Sequence, residues 1–556
     1  AAELALQAAA NESATPEARG RALIFAANLY TKASQFEART KLLVSIAENY
    51  PRINSDHFLD EEFDETKDSP SPEQRLSLAK YFISKERGYP ARRFLLPIKG
   101  KLDADGLMLL ARANYLSANN DDAAKLLAQL AAKNNPENVR RDACILRARL
   151  FLKQGAQSKA IVHAGSCIAN YPDSEGDALE IIAKAYSIKD DEGLRLKTIM
   201  RLTERAPSHP GNDVNFLLVG RFYLVGGSKD RAAEAFKAIE TYFPDSASGA
   251  EAGFWRARLA LETGDSETAA ELFSRIQRRF PYSYFNFRCG QYLAQMGMPD
   301  NSRPAAPPLN ALLPISNTHL IAGNALRHLN LFDLADVEYK AAASVSQDDA
   351  AIGIAQNQRD SGDLMNSVKT LEQRILAQPA FYARVMSDPS LTALLFPRLY
   401  EDILEAEGAK YQLDPIWLLS LIRQESRFNP LARSTSNAMG LMQIIPSTGN
   451  WIAEKIGVSR FQLSSLFEPE TNIKFGVWYF DYLLKRFSGD YTLAVAAYNG
   501  GPGNVSRWLE KYGNNDIDLF IERIPRDETR DYTKKVQHNY FVYSQLLHPA
   551  SNTNNQ

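Results

Sequence analysis

The sequence predicts an all-α protein in three parts: a superhelical arm of repeated helix hairpins (1–303), a smaller helical linker (304–397) and a C-terminal, mainly helical domain (398–556) that carries the chemistry. Two observations predict this. Prolines and glycines recur with a fixed period along the first part, and near Arg398 the composition turns rich in Tyr, Trp, Gly and Asn. The 556 residues suffice for ~3–4 domains. Hydrophobic residues at 45% and charged residues at 23% are ordinary globular values, which exclude a disordered or fibrous chain. A net charge of -2 argues against nucleic acid or an anionic membrane held by bulk charge. The apolar run Ile416–Ile422 is far short of the ~20 residues a membrane span needs. The opening AAELALQAAA has no basic segment followed by an apolar core, so it fits either a cytoplasmic protein or a mature form numbered after cleavage.

The arm comes first. Tyr171-Pro172, Phe243-Pro244 and Phe280-Pro281 each end a helical stretch, and each proline follows a glycine (Gly155, Gly227, Gly264) by 17 residues. Asn135-Pro136 and Ala206-Pro207 continue the series, with steps of 36, 35, 37 and 37, and Tyr50-Pro51 resembles an earlier member. Between glycine and proline the pattern is amphipathic: Ala269, Leu272, Phe273 and Ile276 fall at i, i+3, i+4, i+7. Glycine closes one helix and proline stops the next. Such hairpins bury their apolar faces only by stacking, which gives a superhelix. The pattern resembles tetratricopeptide-type repeats. A solenoid can bind proteins on its concave side; here a scaffold that positions the C-terminal part is the favoured reading. The acidic run Asp60, Glu61, Glu62, Asp64 and Glu65, with Pro70 and Pro72 after it, reads as a solvated loop.

Three cysteines are too few for a disulfide scaffold. Cys144 and Cys167 nevertheless lie equidistant from the turn around Gly155-Ala156, so an antiparallel hairpin brings them to one height. They are either a disulfide or two buried small hydrophobes, with Cys289 left over; a disulfide would argue for an oxidising compartment.

The linker follows the proline cluster from Arg303 to Pro308, and reads as helical over Leu331–Ala343 and Met365–Ala377. In the C-terminal part, Asp414 is a good N-cap and Pro415 a good N1 residue for a helix running to about Phe428, where Asn429-Pro430 stops it. Trp417, Leu418, Leu421 and Ile422 form its apolar stripe, and Glu425 falls on that stripe in the last turn. Burial and the negative end of the helix dipole both disfavour the charged carboxylate and raise its pKa, as a general acid requires. The plain alternative is a glutamate paired to Arg423 or Arg427.

Further motifs decide between them. Ser434 and Asn437 lie in a polar loop, followed by Gly440-Leu441-Met442-Gln443, Ala497-Tyr498-Asn499 and Glu528-Thr529-Arg530-Asp531-Tyr532. With Glu425-Ser426 these four ordered motifs resemble the soluble lytic murein transglycosylases, whose catalytic domain is similar to goose-type lysozyme. The likeness covers ~150 residues at motif level, and the helical arm extends it in architecture. It implies a ring or horseshoe for the arm and a glycan strand of peptidoglycan as substrate. The scissile bond is then the β-1,4 link between N-acetylmuramic acid and N-acetylglucosamine. Glu425 protonates the glycosidic oxygen, then acts as base on the C6 hydroxyl, which closes on C1 to give a 1,6-anhydro product. Ser434, Gln443 and Asn499 become polar sugar contacts, and Met442 and Ile445 apolar walls. Tyr498 and Tyr532 become hydrogen-bonding partners of the sugar, Glu528 supports Tyr532 and the sugar, and Arg423 orients Glu425 or touches substrate. The resemblance also implies a periplasmic mature chain and an arm available to cell-wall synthesis or division proteins.

Two competing functions remain at this point. Most glycosidases use two carboxylates. From Arg427 to Ala453 there is none, which fits a single-acid mechanism, but Glu528 is a rival second carboxylate that favours a hydrolytic muramidase. A non-catalytic repeat scaffold is the third reading. No cofactor is expected: Gly500-Gly501-Pro502-Gly503 lacks the Lys-Ser/Thr of a phosphate loop, no serine has a nucleophile-elbow setting, and the seven histidines show no ligand-type spacing, so no metal site is predicted.

Overall fold

The computed structural model describes residues 2–11, 16–49, 70–281, 283–298, 318–343, 346–378 and 380–547. The acidic run 60–65, Tyr50-Pro51 and the proline cluster 303–308 lie outside the described residues. The described chain is helical apart from isolated β-bridges joining Arg433 to Met439 and Met439 to Ile444. It divides into two compact units, 1–219 and 220–556.

In the first unit the periodic pattern becomes paired helices, among them Glu137–Lys153 with Gln157–Asn170 and Glu175–Ile188 with Glu192–Arg205. Gly155 takes φ +72° at the hairpin turn, the left-handed conformation that a glycine adopts without steric cost. Across that turn Cys144 and Cys167 are joined in a disulfide. Small residues such as Ala148, Ala160, Ala164 and Ala178 are buried between the helices, so the hairpins stack closely.

The second unit begins with the repeat helices Lys229–Tyr242, Gly249–Glu262, Ser266–Arg279 and Tyr284–Gln295. Phe243 and Phe280 each cap a helix immediately before its proline, with backbone N–H bonds to Ile239 and Ile276. Phe254, Phe273, Phe285 and Tyr292 form an aromatic core between them. Cys289 is free and buried.

The helices Phe332–Ala342 and Leu364–Ala377 lie within one residue of the sequence expectation. Buried Tyr339 packs against Gly353 so tightly that a Cβ there would meet its ring at 2.3 Å. One hydrophobic core then runs from Ala355 and Val368 through Leu418, Ile422, Phe480 and Val495 to Tyr543. It holds the helices Pro415–Ser426, Pro469–Arg486, Tyr491–Gly500 and Asp527–Leu547 together. Asp414 caps the first of these by accepting the N–H of Ile416 at 2.9 Å. That helix stops at Ser426, two residues before the sequence-predicted end, because Arg427 and Phe428 both turn left-handed (φ +48° and +64°).

Candidate active site

Glu425 occupies the last turn of the helix Pro415–Ser426. Part of its surface stays open, but protein surrounds the carboxyl closely. Burial raises its pKa, the hydrogen bond from Tyr532 lowers it, and the nearby charge of Glu528 raises it again; the result is about 7. Tyr532 is buried, and its hydroxyl donates to Glu425 Oε1 at 2.6 Å. No cation acts on Glu425 in this balance.

The helix Asp527–Leu547 delivers Tyr532. Glu528 lies one turn earlier, exposed and on the same side. Thr529, between them, donates its hydroxyl to Asn499 Oδ1 at 2.7 Å and ties this helix to Tyr491–Gly500. A Cβ on Gly500 would lie 2.9 Å from the Thr529 methyl, so the glycine permits that close approach. The hydroxyl of Tyr532 goes to Glu425, and the expected support of Tyr532 by Glu528 is replaced by that contact.

The loop 432–444 forms the next wall. Gly440 has φ +78°, and a Cβ there would fall 2.1 Å from the Leu466 carbonyl. Buried Asn472 donates to the carbonyls of Met439 and Leu466 and accepts the N–H of Met442, stapling the loop to the helix Pro469–Arg486. Sequence reasoning missed Asn472 and Thr529, because neither the preference for asparagine in turns nor a helical threonine marks a long-range tie. Gly476 was the available signal: it makes room for Met442, whose sulfur would sit 2.2 Å from a Cβ there.

Tyr498 is half-buried and donates its hydroxyl to the Met442 carbonyl at 2.8 Å. Its proton is therefore committed to the backbone, and a ligand is offered the ring and a lone pair rather than a donor. The structure thus gathers Glu425, Tyr532, Tyr498, Glu528 and Asn499, with the backbone of Met442. Gln443 folds back, its amide donating to the carbonyls of Ala432 and Gly440. Ser434 is exposed in a tight turn, where its oxygen accepts the Ala438 N–H. Ile445 is exposed.

Two expectations are corrected. Arg423 neither orients Glu425 nor faces a ligand: it is buried, donating to the Leu395 carbonyl and Asn539 and pairing with Glu372. Two residues along a helix are about 200° apart, so Arg423 and Glu425 point to opposite sides. Met442 is no apolar wall: its side chain is wholly buried core.

Among the described residues two groups of ligand-type side chains converge, Cys144/His163/Cys167 and Asp177/Glu180/His209. The sulfurs of the first are bonded to each other, and Arg149 already pairs with both acids of the second. Neither group has a free donor set for a metal.

The transglycosylase SLT domain model matches residues 402–521, and a tetratricopeptide repeat model matches 251–283. The soluble lytic murein transglycosylase of Salmonella typhimurium is 37% identical over 143 residues, covering 25% of this chain and 22% of that protein. A putative soluble lytic murein transglycosylase of Haemophilus influenzae is 34% identical over 161 residues, covering 29% and 27%. These matched segments thus span about a quarter of the length of the curated relatives. An inactive mutant of the lytic transglycosylase Slt of Pseudomonas aeruginosa shares the fold over 99% of this chain and 95% of that chain, with TM-score 0.54 and 19% identity. The 70 kDa soluble lytic transglycosylase of Escherichia coli shares it over 98% and 83%, with TM-score 0.50 and 20% identity. The chain therefore combines tetratricopeptide-like helical repeats with an SLT domain, in the fold of the soluble lytic transglycosylases. No helix among the described residues is long and apolar enough to cross a membrane.

Proposed function

We propose that this chain is a lytic transglycosylase that cleaves the β-1,4 bond between N-acetylmuramic acid and N-acetylglucosamine in peptidoglycan. One observation carries the reading: a carboxyl with a pKa of about 7, held by a tyrosine hydroxyl and faced by no cation. Such a group is protonated in a useful fraction at neutral pH and accepts a proton back as readily.

Glu425 gives its proton to the glycosidic oxygen, and the glucosamine leaves as an alcohol. Positive charge develops at C1 of the muramic acid, beside the oxygen of Tyr498. The carboxylate, now steadied by the Tyr532 hydrogen bond, takes the proton of the C6 hydroxyl as O6 bonds to C1. The proton returns to Glu425, water is not consumed, and the product is the 1,6-anhydro sugar. Glu528, exposed near Glu425, and the free faces of Asn499, Gln443, Ser434 and Ile445 line the path of the strand. Residues 398–556 act as the catalytic domain, 304–397 as linker and 1–303 as the arm that presents the strand or recruits cell-wall proteins. The Cys144–Cys167 disulfide favours an oxidising compartment, which fits the periplasm.

The position of Glu528 favours one second reading, a muramidase in which this carboxylate directs water to C1. Mass spectrometry of digested sacculi separates the two. The anhydro product is lighter than the reducing sugar by one water, and the Glu425→Gln protein should release neither. A reducing end as the sole wild-type product would establish the muramidase.

A further inference from the structure

The helix that carries Tyr532 is gripped from its other side by the repeat helices. Tyr532 and Lys534 are two residues apart, so about 200° of helical rotation places them on opposite faces. The inner face makes the Thr529–Asn499 and Tyr532–Glu425 bonds. On the outer face Lys534 Nζ meets Glu522 at 2.6 Å and Glu251 at 3.6 Å, and lies 5.2 Å from the ring of Phe285. Seven residues on, and therefore on the same face, Phe541 packs on Phe287 at 4.9 Å. Glu251 belongs to the repeat helix Gly249–Glu262 and is also held by Arg221, which reaches towards Glu522 at 3.4 Å. The side chains of Glu251 and Glu522 are 8% and 1% exposed, so Lys534 sits at the centre of a dry, charge-matched cluster rather than in a surface ion pair.

We propose that Lys534, clamped between Glu251 and Glu522, is a positioning residue that fixes the roll of the helix Asp527–Leu547 and thereby sets the Tyr532–Glu425 hydrogen bond. The inference rests on the reading of Glu425 as the acid. The lever is short. A side-chain tip ~6 Å from the helix axis moves by about 1 Å for a roll of about 10°, enough to break a hydrogen bond of 2.6 Å. The inner face is tied by Thr529 to Asn499, by Gln537 to Thr492 and by Asn539 to Arg423, and the outer face is anchored at Lys534 and Phe541, so the roll is set from both sides and Lys534 is the outer anchor nearest Tyr532.

The consequence is a shift in pH dependence. The groups facing Glu425 are Tyr532, Tyr498 and Glu528; His538 on the same helix is half-buried and turned towards Tyr382 and Arg423. The groups facing Lys534 are Glu251, Glu522 and Arg221, with Arg530 and Asp531 beside the cluster. Tyr532 lowers the pKa of Glu425, so a slackened bond raises it, and the loss of activity at high pH moves upward.

The test measures kcat, KM and the pH profile on murein glycan for the wild type, Lys534→Met, Lys534→Arg, Tyr532→Phe and the Lys534→Met/Tyr532→Phe double variant. Lys534→Met should lower kcat by ~10-fold with KM unchanged and move the basic limb upward by about half a pH unit. Lys534→Arg keeps the charge and should restore both. In the Tyr532→Phe background Lys534→Met should add nothing. An equal added shift in that background, or an unmoved limb in Lys534→Met, overturns the proposal. If Lys534→Met does not fold, Glu251→Gln replaces it, and the same two readouts support or overturn the positioning role. Glu425→Gln separates the two layers: turnover in that variant removes the acid assignment itself, whereas an inactive Glu425→Gln beside an unmoved limb in Lys534→Met removes only the positioning role.

Discussion

Carboxyls at two places in the second compact unit are closely surrounded by protein and behave in opposite ways. Burial pushes the pKa of both Glu425 and Glu251 up. At Glu425 the only relief is the Tyr532 hydroxyl, Glu528 adds repulsion, and the pKa settles at about 7. At Glu251 the charges of Lys534 and Arg221 overcome burial and hold the carboxyl well below the usual range. Asp518 is likewise fastened by cations: Arg288 embraces both of its oxygens at 2.7 and 2.8 Å, with Arg258 and the Tyr292 hydroxyl adding further bonds. Cations turn a buried carboxylate into a fastener; their absence keeps the other one able to exchange a proton.

The sharpest way to break this contrast is at Glu425. Glu425→Gln keeps the shape and the Tyr532 contact but has no proton to give, so turnover should fall by ~10³-fold or more with glycan binding retained, as read by product release and by titration with glycan fragments. Asp518→Asn attacks the other pole. Arg258 and Arg288 keep their charge with a counter-ion removed, and urea unfolding should show a loss of about 3–5 kcal/mol. A smaller effect belongs to Tyr532→Phe. It deprives the carboxylate of a hydrogen bond, so kcat/KM should fall by ~10-fold and the basic limb of the pH profile should rise.

Stability sharpens the contrast further. The folded pKa of Glu425 lies above its unfolded value, so the native state holds a proton that the unfolded chain releases. Its penalty on stability is absent below the ordinary carboxylate range and grows until pH passes about 7. Glu425→Gln should therefore melt about 2–4 °C above the wild type at pH 8, with the gap closing towards pH 4.5, as followed by calorimetry. The smallest effect is expected from Glu528→Gln. Removing that repulsion should lower the basic limb by less than ~1 pH unit and leave the anhydro product unchanged.

Much of the fold was legible because it is written in local spacing. The glycine–proline period located the repeat hairpins, and the equal distances of Cys144 and Cys167 from Gly155 brought their sulfurs together. Asp414-Pro415 located the start of the Glu425 helix for the same reason: caps act within one turn. Its end was misplaced because left-handed backbone at Arg427 and Phe428, neither a glycine, has no local signature. The site divides along the same line. Glu425, Tyr498 and Tyr532 stand on motifs, and the structure gathers them. Arg423 and Met442 stand beside motif residues in sequence but point into protein, because helix rotation and the cavity above Gly476 decide direction. The contacts of Asn472 with Met442, Thr529 with Asn499 and Lys534 with Glu251 span 30, 30 and 283 residues of chain, and no spacing rule reaches that far.

The proton on Glu425 can be followed by difference infrared spectroscopy of its carboxyl band, comparing wild type with Glu425→Gln across pH 3 to 9. A carboxylic-acid band that disappears with a midpoint of about 7 is the expected result. A midpoint near the ordinary value of 4.5 would leave the carboxyl ionised at neutrality and contradict its role as acid.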